Sequence, residues 1–112
     1  MPDPFINTGL KTYTSTIKNR SVALSGASQL LMAANPLRKG FLIQNDGANV
    51  AYVTWLVATA AADASGVFEI AVGAAVSFDH ATGHVPTGNV FVLGTAAQPL
   101  YAQEDVGYHI GT

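Results

Sequence analysis

Along much of this chain apolar and polar side chains alternate with a period of two, the pattern of a half-buried β-strand. In residues 67–72 the alternation puts Phe68, Ile70 and Val72 on one side and Val67, Glu69 and Ala71 on the other. Residues 75–79 repeat it, with Val76 and Phe78 inward and Ser77 and Asp79 outward. Val22 and Leu24 alternate in the same way, and Tyr13, Ser15 and Ile17 are flanked by Thr12, Thr14 and Thr16, residue types that favour strands. Three other runs, residues 29–33, 51–57 and 89–93, are apolar on both faces. Such runs suit central strands, or strands with one face on the core and the other on a partner. Trp55, amid the valines of the second run, reads as core.

Turn residues separate these runs: Ser25-Gly26, Asn35-Pro36, Asn45-Asp46-Gly47, Ser65-Gly66, Gly73, Ala81-Thr82-Gly83, Pro86-Thr87-Gly88 and Gly94. Asn35-Pro36 ends a strand because proline cannot donate to a ladder. Asn45-Asp46-Gly47 carries the positive-φ chemistry of a tight turn. Turns about every eight to twelve residues predict an all-β chain. The expected fold is an antiparallel β-sandwich or jelly-roll-like barrel of about eight strands, with residues 21–112 as a single domain. The alanine-rich residues 58–64 are too short for a stable isolated helix and read as a surface loop or single turn. For residues 1–20, Pro2, Pro4 and Gly9 oppose a helix, leaving an N-terminal arm or an edge strand. Fully extended, twenty residues span on the order of 66 Å, enough for an arm to embrace a neighbour.

Composition adds a surface property. The 112 residues are 49% hydrophobic and 11% charged, and contain no cysteine. An average chain carries about 25% charged residues. Eighteen alanines, ten threonines and eleven glycines stand where lysine and glutamate usually would, and such a surface packs closely against other protein. Apolar content of this size excludes a disordered chain, and the missing cysteine excludes a disulfide scaffold or thiolate metal site. Charge is also unevenly placed. All five bases, Lys11, Lys18, Arg20, Arg38 and Lys39, lie in residues 1–39 with a single acid, whereas residues 40–112 hold six acids and no base. Five scattered bases at a net charge of −2 do not form a nucleic-acid stripe; a basic end meeting an acidic neighbour, including a second copy, fits better. No run approaches a membrane helix, and the N-terminus lacks the basic leader and apolar run of a signal peptide. Synthesis in the cytoplasm, with no membrane partner, is the expectation.

No catalytic constellation emerges. Asp79, His80 and His84 flank a Thr82-Gly83 turn rather than a helix, so the histidines are not aligned as metal ligands, and no metal or cofactor is expected. Ser28 lacks a nucleophile elbow. Glu104 and Asp105 are adjacent and point to opposite faces of a strand, unlike a converging acid pair. The chain reads as a non-enzyme. Tyr101 and Tyr108, in polar surroundings near the C-terminus, are candidates for a recognition face, for instance toward glycans.

The run Leu31-Met32-Ala33-Ala34-Asn35-Pro36, the pair Arg38-Lys39 and the strand Leu42-Ile43-Gln44-Asn45, continued by residues 84–95 and 98–104, resemble small β-structured virion proteins of tailed bacteriophages. The similarity spans residues 21–105. It implies a head decoration, or cement, protein: a homotrimer on the outer capsid surface of the virion that binds the major capsid protein and stabilises contacts between capsomers. Phe5, Lys11, Lys18, Arg20, Arg38 and Lys39 are then the candidate capsid or subunit interface. Related modules also occur as tail or head-fibre proteins that recognise host-surface glycan, or as adaptors within the virion.

Overall fold

In the computed structural model, described for residues 11–79 and 83–111, the chain is all β. Nine strands lie among the described residues: β1 (Lys11–Asn19), β2 (Val22–Ala23), β3 (Gln29–Met32), β4 (Arg38–Gln44), β5 (Ala51–Thr54), β6 (Phe68–Ile70), β7 (Ala75–Asp79), β8 (Val90–Leu93) and β9 (Pro99–Gly111). They form two antiparallel sheets. One runs β1-β9-β4-β7, with β2 also on β9; the other runs β3-β8-β5-β6. β1 and β2 pair with successive stretches of β9, so they act as one edge strand broken at Arg20 and Ser21. At the break Arg20 N donates to Ala102 O at 2.8 Å, and Ser21 Oγ accepts from Ala102 N at 3.0 Å. Counted this way, eight strands from both halves of the chain interleave in the order of a jelly-roll sandwich.

Alternation explains the core. Leu100 and Ala102 on β9, Phe41 and Ile43 on β4, Ala51 and Val53 on β5, and Val90 and Val92 on β8 all point between the sheets, joined by Leu24, Leu31, Met32 and Ile70. Each large aliphatic buried there contributes about 1.5–3 kcal/mol. In β3 the neighbours Leu31 and Met32 are both buried because the register shifts between Leu30 and Met32; a bulge produces the apolar pattern on both faces.

Three expectations are corrected. β5 stops at Thr54, because the Thr54 hydroxyl accepts from Leu56 N at 3.1 Å and Val57 N at 3.2 Å and bends the chain out of the ladder. Leu56 and Val57 are therefore exposed, and Trp55 is half-buried at the margin of the core. β6 is short and lies at a sheet edge. Only Ile70 enters the core, while Val72 is exposed and the Phe68 ring stacks on Trp55 at 4.9 Å. Gly47 is not in a positive-φ turn: residues 45–50 cross from one sheet to the other, and a Cβ at Gly47 would collide with Gln98. That Gln98 belongs to a buried polar knot, in which its Nε2 donates to Asn45 Oδ1 at 3.1 Å and Asn49 O at 2.8 Å. Residues 58–64 form bends and turns, as expected.

The N-terminal strand is an edge strand that also projects. β9 residues 101–107 are held on both sides, by β1 or its break and by β4 or, at Gly107, whose N donates to Leu37 O at 2.9 Å, by the residue just before β4, but residues 108–111 pair only with residues 11–14 of β1. Four residues at about 3.4 Å each extend this two-stranded ribbon by roughly 14 Å beyond the sandwich. The molecule measures 59 × 24 × 19 Å.

Candidate functional site

The root of the ribbon is held by a buried ionic knot. In phase with the apolar Leu100 and Ala102, β9 points Glu104 inward, where its side chain is 2% exposed. Arg38, from the first position of β4 and 0% exposed, donates Nε to Glu104 Oε2 at 2.7 Å. Its Nη1 donates to Pro86 O at 2.9 Å and Gly88 O at 2.8 Å, and its Nη2 to Ala33 O at 2.7 Å. The guanidinium lies 5.9 Å over the Phe41 ring. Arg20, at the break in the edge strand, donates Nε to Glu104 Oε1 at 3.0 Å. One carboxylate thus ties the edge strand, β9 and β4 together just where the ribbon leaves the body. No buried side-chain polar atom lacks a partner among the described residues.

This placement corrects the role expected for Arg38: a side chain enclosed by its own chain offers no surface to a capsid or a neighbouring subunit. Arg20 is partly exposed, and its Nε is committed to Glu104. Lys18 is exposed on β1, and Lys39 is half-buried beside the register shift between Arg38 and Gly40. Lys11 pairs with Gly111 at the ribbon tip. Phe5 lies outside the described residues, as does His80. The expected interface residues are therefore not one patch; Lys11, Lys18 and Arg20 follow the edge strand, and Arg38 is structural. Reasoning from sequence missed Glu104 as the partner of both arginines, although its phase with Leu100 and Ala102 marked it as an acid facing the core.

The outer face of the five-stranded sheet presents Tyr101. Cross-strand register sets out three rows on it. Tyr101 lies opposite Gln44, which faces Ala75; Asn19 lies opposite Gln103, which faces Leu42 and then Ser77; Ile17 lies opposite Asp105, which faces Gly40 and then Asp79. A trough of about 330 Å³ runs along Ile17, Asn19, Ser21, Leu42, Gln44, Tyr101 and Gln103. A second, of about 340 Å³, continues it over Gly40 toward Asp79 and Asp105. Tyr101 is 49% exposed. Tyr108 pairs with Thr14 in the ribbon, away from these rows.

At the opposite margin Trp55, Phe41, Phe68 and Phe78 form an aromatic cluster, with Trp55 and Phe78 edge to face at 5.0 Å. A shallow groove there is lined by Leu56, His84, Pro86 and Thr87. On the four-stranded sheet, burial and the nearby carboxylates of Asp63 and Glu69 push the Tyr52 phenol above its usual value. Among the described residues no cluster of three or more histidine or acidic side chains could hold a metal ion, and no helix is long and apolar enough to cross a membrane.

No protein-family model matches this chain, and no curated protein matches it. Among solved structures it is similar to a protein of Bacillus endospore appendages, which are described as a novel family of disulfide-linked pili. The TM-score is 0.56 at 17% sequence identity, over 92% of this chain and 93% of that chain. At this identity the likeness is one of fold: the chain shares the β architecture of a small appendage protein.

Proposed function

We propose that this protein is a non-enzymatic structural subunit, present in many copies in a larger assembly, and that its place is the outer surface of a bacteriophage head, where it stabilises contacts between capsomers. The observation that carries the reading is the β1–β9 ribbon. It extends the sheet past the sandwich, beyond the reach of the protein's own core, and beside its root Lys18, exposed on β1, adds a basic edge to a chain whose second half is acidic. A projecting element of this kind is suited to burying area across a joint between neighbours. Subunits that bind only the assembled shell stabilise it by mass action. Partners in this reading are the major capsid protein and further copies of the chain as a trimer, with no nucleic acid, membrane or cofactor involved.

The fold likeness to an appendage protein favours a second reading, a subunit of a filament. The described relative belongs to disulfide-linked pili, whereas this chain has no cysteine, so any filament it built would be held without disulfides of its own. Two measurements separate the readings. Labelling intact particles places the protein on the head or along a filament, and hundreds of copies per virion are expected for decoration. Deleting residues 1–11 is expected to leave the sandwich folded and abolish addition to expanded shells; normal shell binding by the truncated protein overturns the role of the N-terminal edge.

A further inference from the structure

The trough on the outer face of the five-stranded sheet has a composition that selects a ligand class. Gln44 and Gln103 project from neighbouring strands, and neither carboxamide has a hydrogen-bond partner among the described residues. Each carries two donors and an acceptor. Asn19 adds a third amide, its Oδ1 taken by Ser21 N at 3.0 Å. Between them Ile17, 56% exposed, and the half-buried Leu42 give an apolar floor, and Tyr101 supplies an aromatic ring with a hydroxyl at its rim. No lysine or arginine lines either part of the trough, and its far end carries Asp79 and Asp105.

We propose that this face is a binding site for a neutral oligosaccharide, with Tyr101 under the apolar face of a sugar ring and Gln44 and Gln103 bonded to its hydroxyls. Paired amides meet vicinal hydroxyls as donor and acceptor at once, which neither an anion nor a cation can do. An anionic glycan finds no lysine or arginine in the lining of the trough as a counter-charge. A flat apolar protein surface would leave the carboxamides buried without partners, which disfavours it. A volume of about 330 Å³ falls within the range of small-molecule sites, and the continuation over Gly40 lengthens it for a chain of rings. The inference is independent of the assembly role, because it concerns a face that the ribbon does not use.

The test is a titration of the full-length isotope-labelled protein, followed by amide chemical shifts, with maltohexaose, cellohexaose and chitohexaose as neutral probes and hexagalacturonate as the anionic comparator. Saturable shifts at residues 42–44 and 101–105 are expected with at least one neutral probe. Tyr101→Ala and Gln103→Ala should each weaken that affinity by about tenfold or more; Tyr101→Phe, which keeps the ring, should retain most of it, and Tyr52→Phe, on the other sheet, all of it. Four results each overturn the proposal: no saturable shift with any neutral probe at millimolar concentration, preference for the anionic probe, unchanged binding by the folded Tyr101→Ala and Gln103→Ala variants, or occlusion of the face by self-association. The experiment needs no shell, so its failure leaves the assembly reading standing, and loss of shell binding does not bear on it.

Discussion

Arg38 makes one salt bridge and three hydrogen bonds to backbone carbonyls, and that ratio sets its worth to the fold. For an ordinary buried ion pair, replacing both partners with apolar residues can be neutral, because desolvation offsets attraction. Here the same replacement would strand the carbonyls of Ala33, Pro86 and Gly88 as well. Arg38→Ala and Glu104→Gln are each expected to lose about 3–5 kcal/mol in urea denaturation, and the double variant Arg38→Met with Glu104→Leu is expected not to recover it. Tyr52 gives the alkaline counterpart. Burial and the carboxylates of Asp63 and Glu69 raise its pKa above 10.0, so the folded state holds the phenolic proton more tightly than the unfolded chain does. Stability is unaffected below the unfolded value and falls as pH rises through the folded one. Thermal melts across the phenol range should show this decline, and Tyr52→Phe should remove that part of it.

Among the strands, the β4–β7 pair depends on the absence of a side chain. A Cβ at Gly40 would sit 2.7 Å from Phe78 O and 3.3 Å from Asp79 Cα, backbone atoms that cannot swing aside. Gly40→Ala is expected to push the edge strand β7 off β4, at about 1–3 kcal/mol, and hydrogen exchange at residues 75–79 should accelerate before exchange elsewhere. The edge strand at the other side of the same sheet is fixed differently. Its break at Ser21 is filled by the serine hydroxyl, which takes the place of a backbone acceptor for Ala102 N, and Arg20 anchors it to Glu104.

In the whole molecule, the first and last described strands meet in one ribbon and nearly every consecutive strand crosses between sheets; among the described strands β5 and β6 are the consecutive pair hydrogen-bonded to each other. Closing such pairings costs loop entropy before it is repaid. Refolding followed by stopped-flow Trp55 fluorescence is therefore expected in milliseconds to seconds, the range of all-β sandwiches. The elongated body has a consequence for assembly too. An extension paired only within itself adds little to its own core, and its area is available to a neighbour.

The sequence by itself determined the all-β class, the approximate strand number, an antiparallel sandwich or jelly-roll-like barrel as the architecture, and the phase of most strands, because a period of two follows from the pleat and needs no knowledge of partners. It also determined the low charge and the basic N-terminal third. Tertiary structure decided which apolar runs were interrupted: Thr54 ends β5 through a local hydroxyl, and the bulge in β3 buries two adjacent side chains. It decided the fates of the charges as well. Arg38, Arg20 and Glu104 lie up to 84 positions apart in the chain, and their meeting depends on the register between β9 and its two neighbours. It gathered Asn19, Gln44, Tyr101 and Gln103 on one face, though they come from three strands. Alternation tells which side of a strand a residue faces, but strand order alone sets what stands beside it, and that order is fixed by the packing of the two sheets rather than by any local preference.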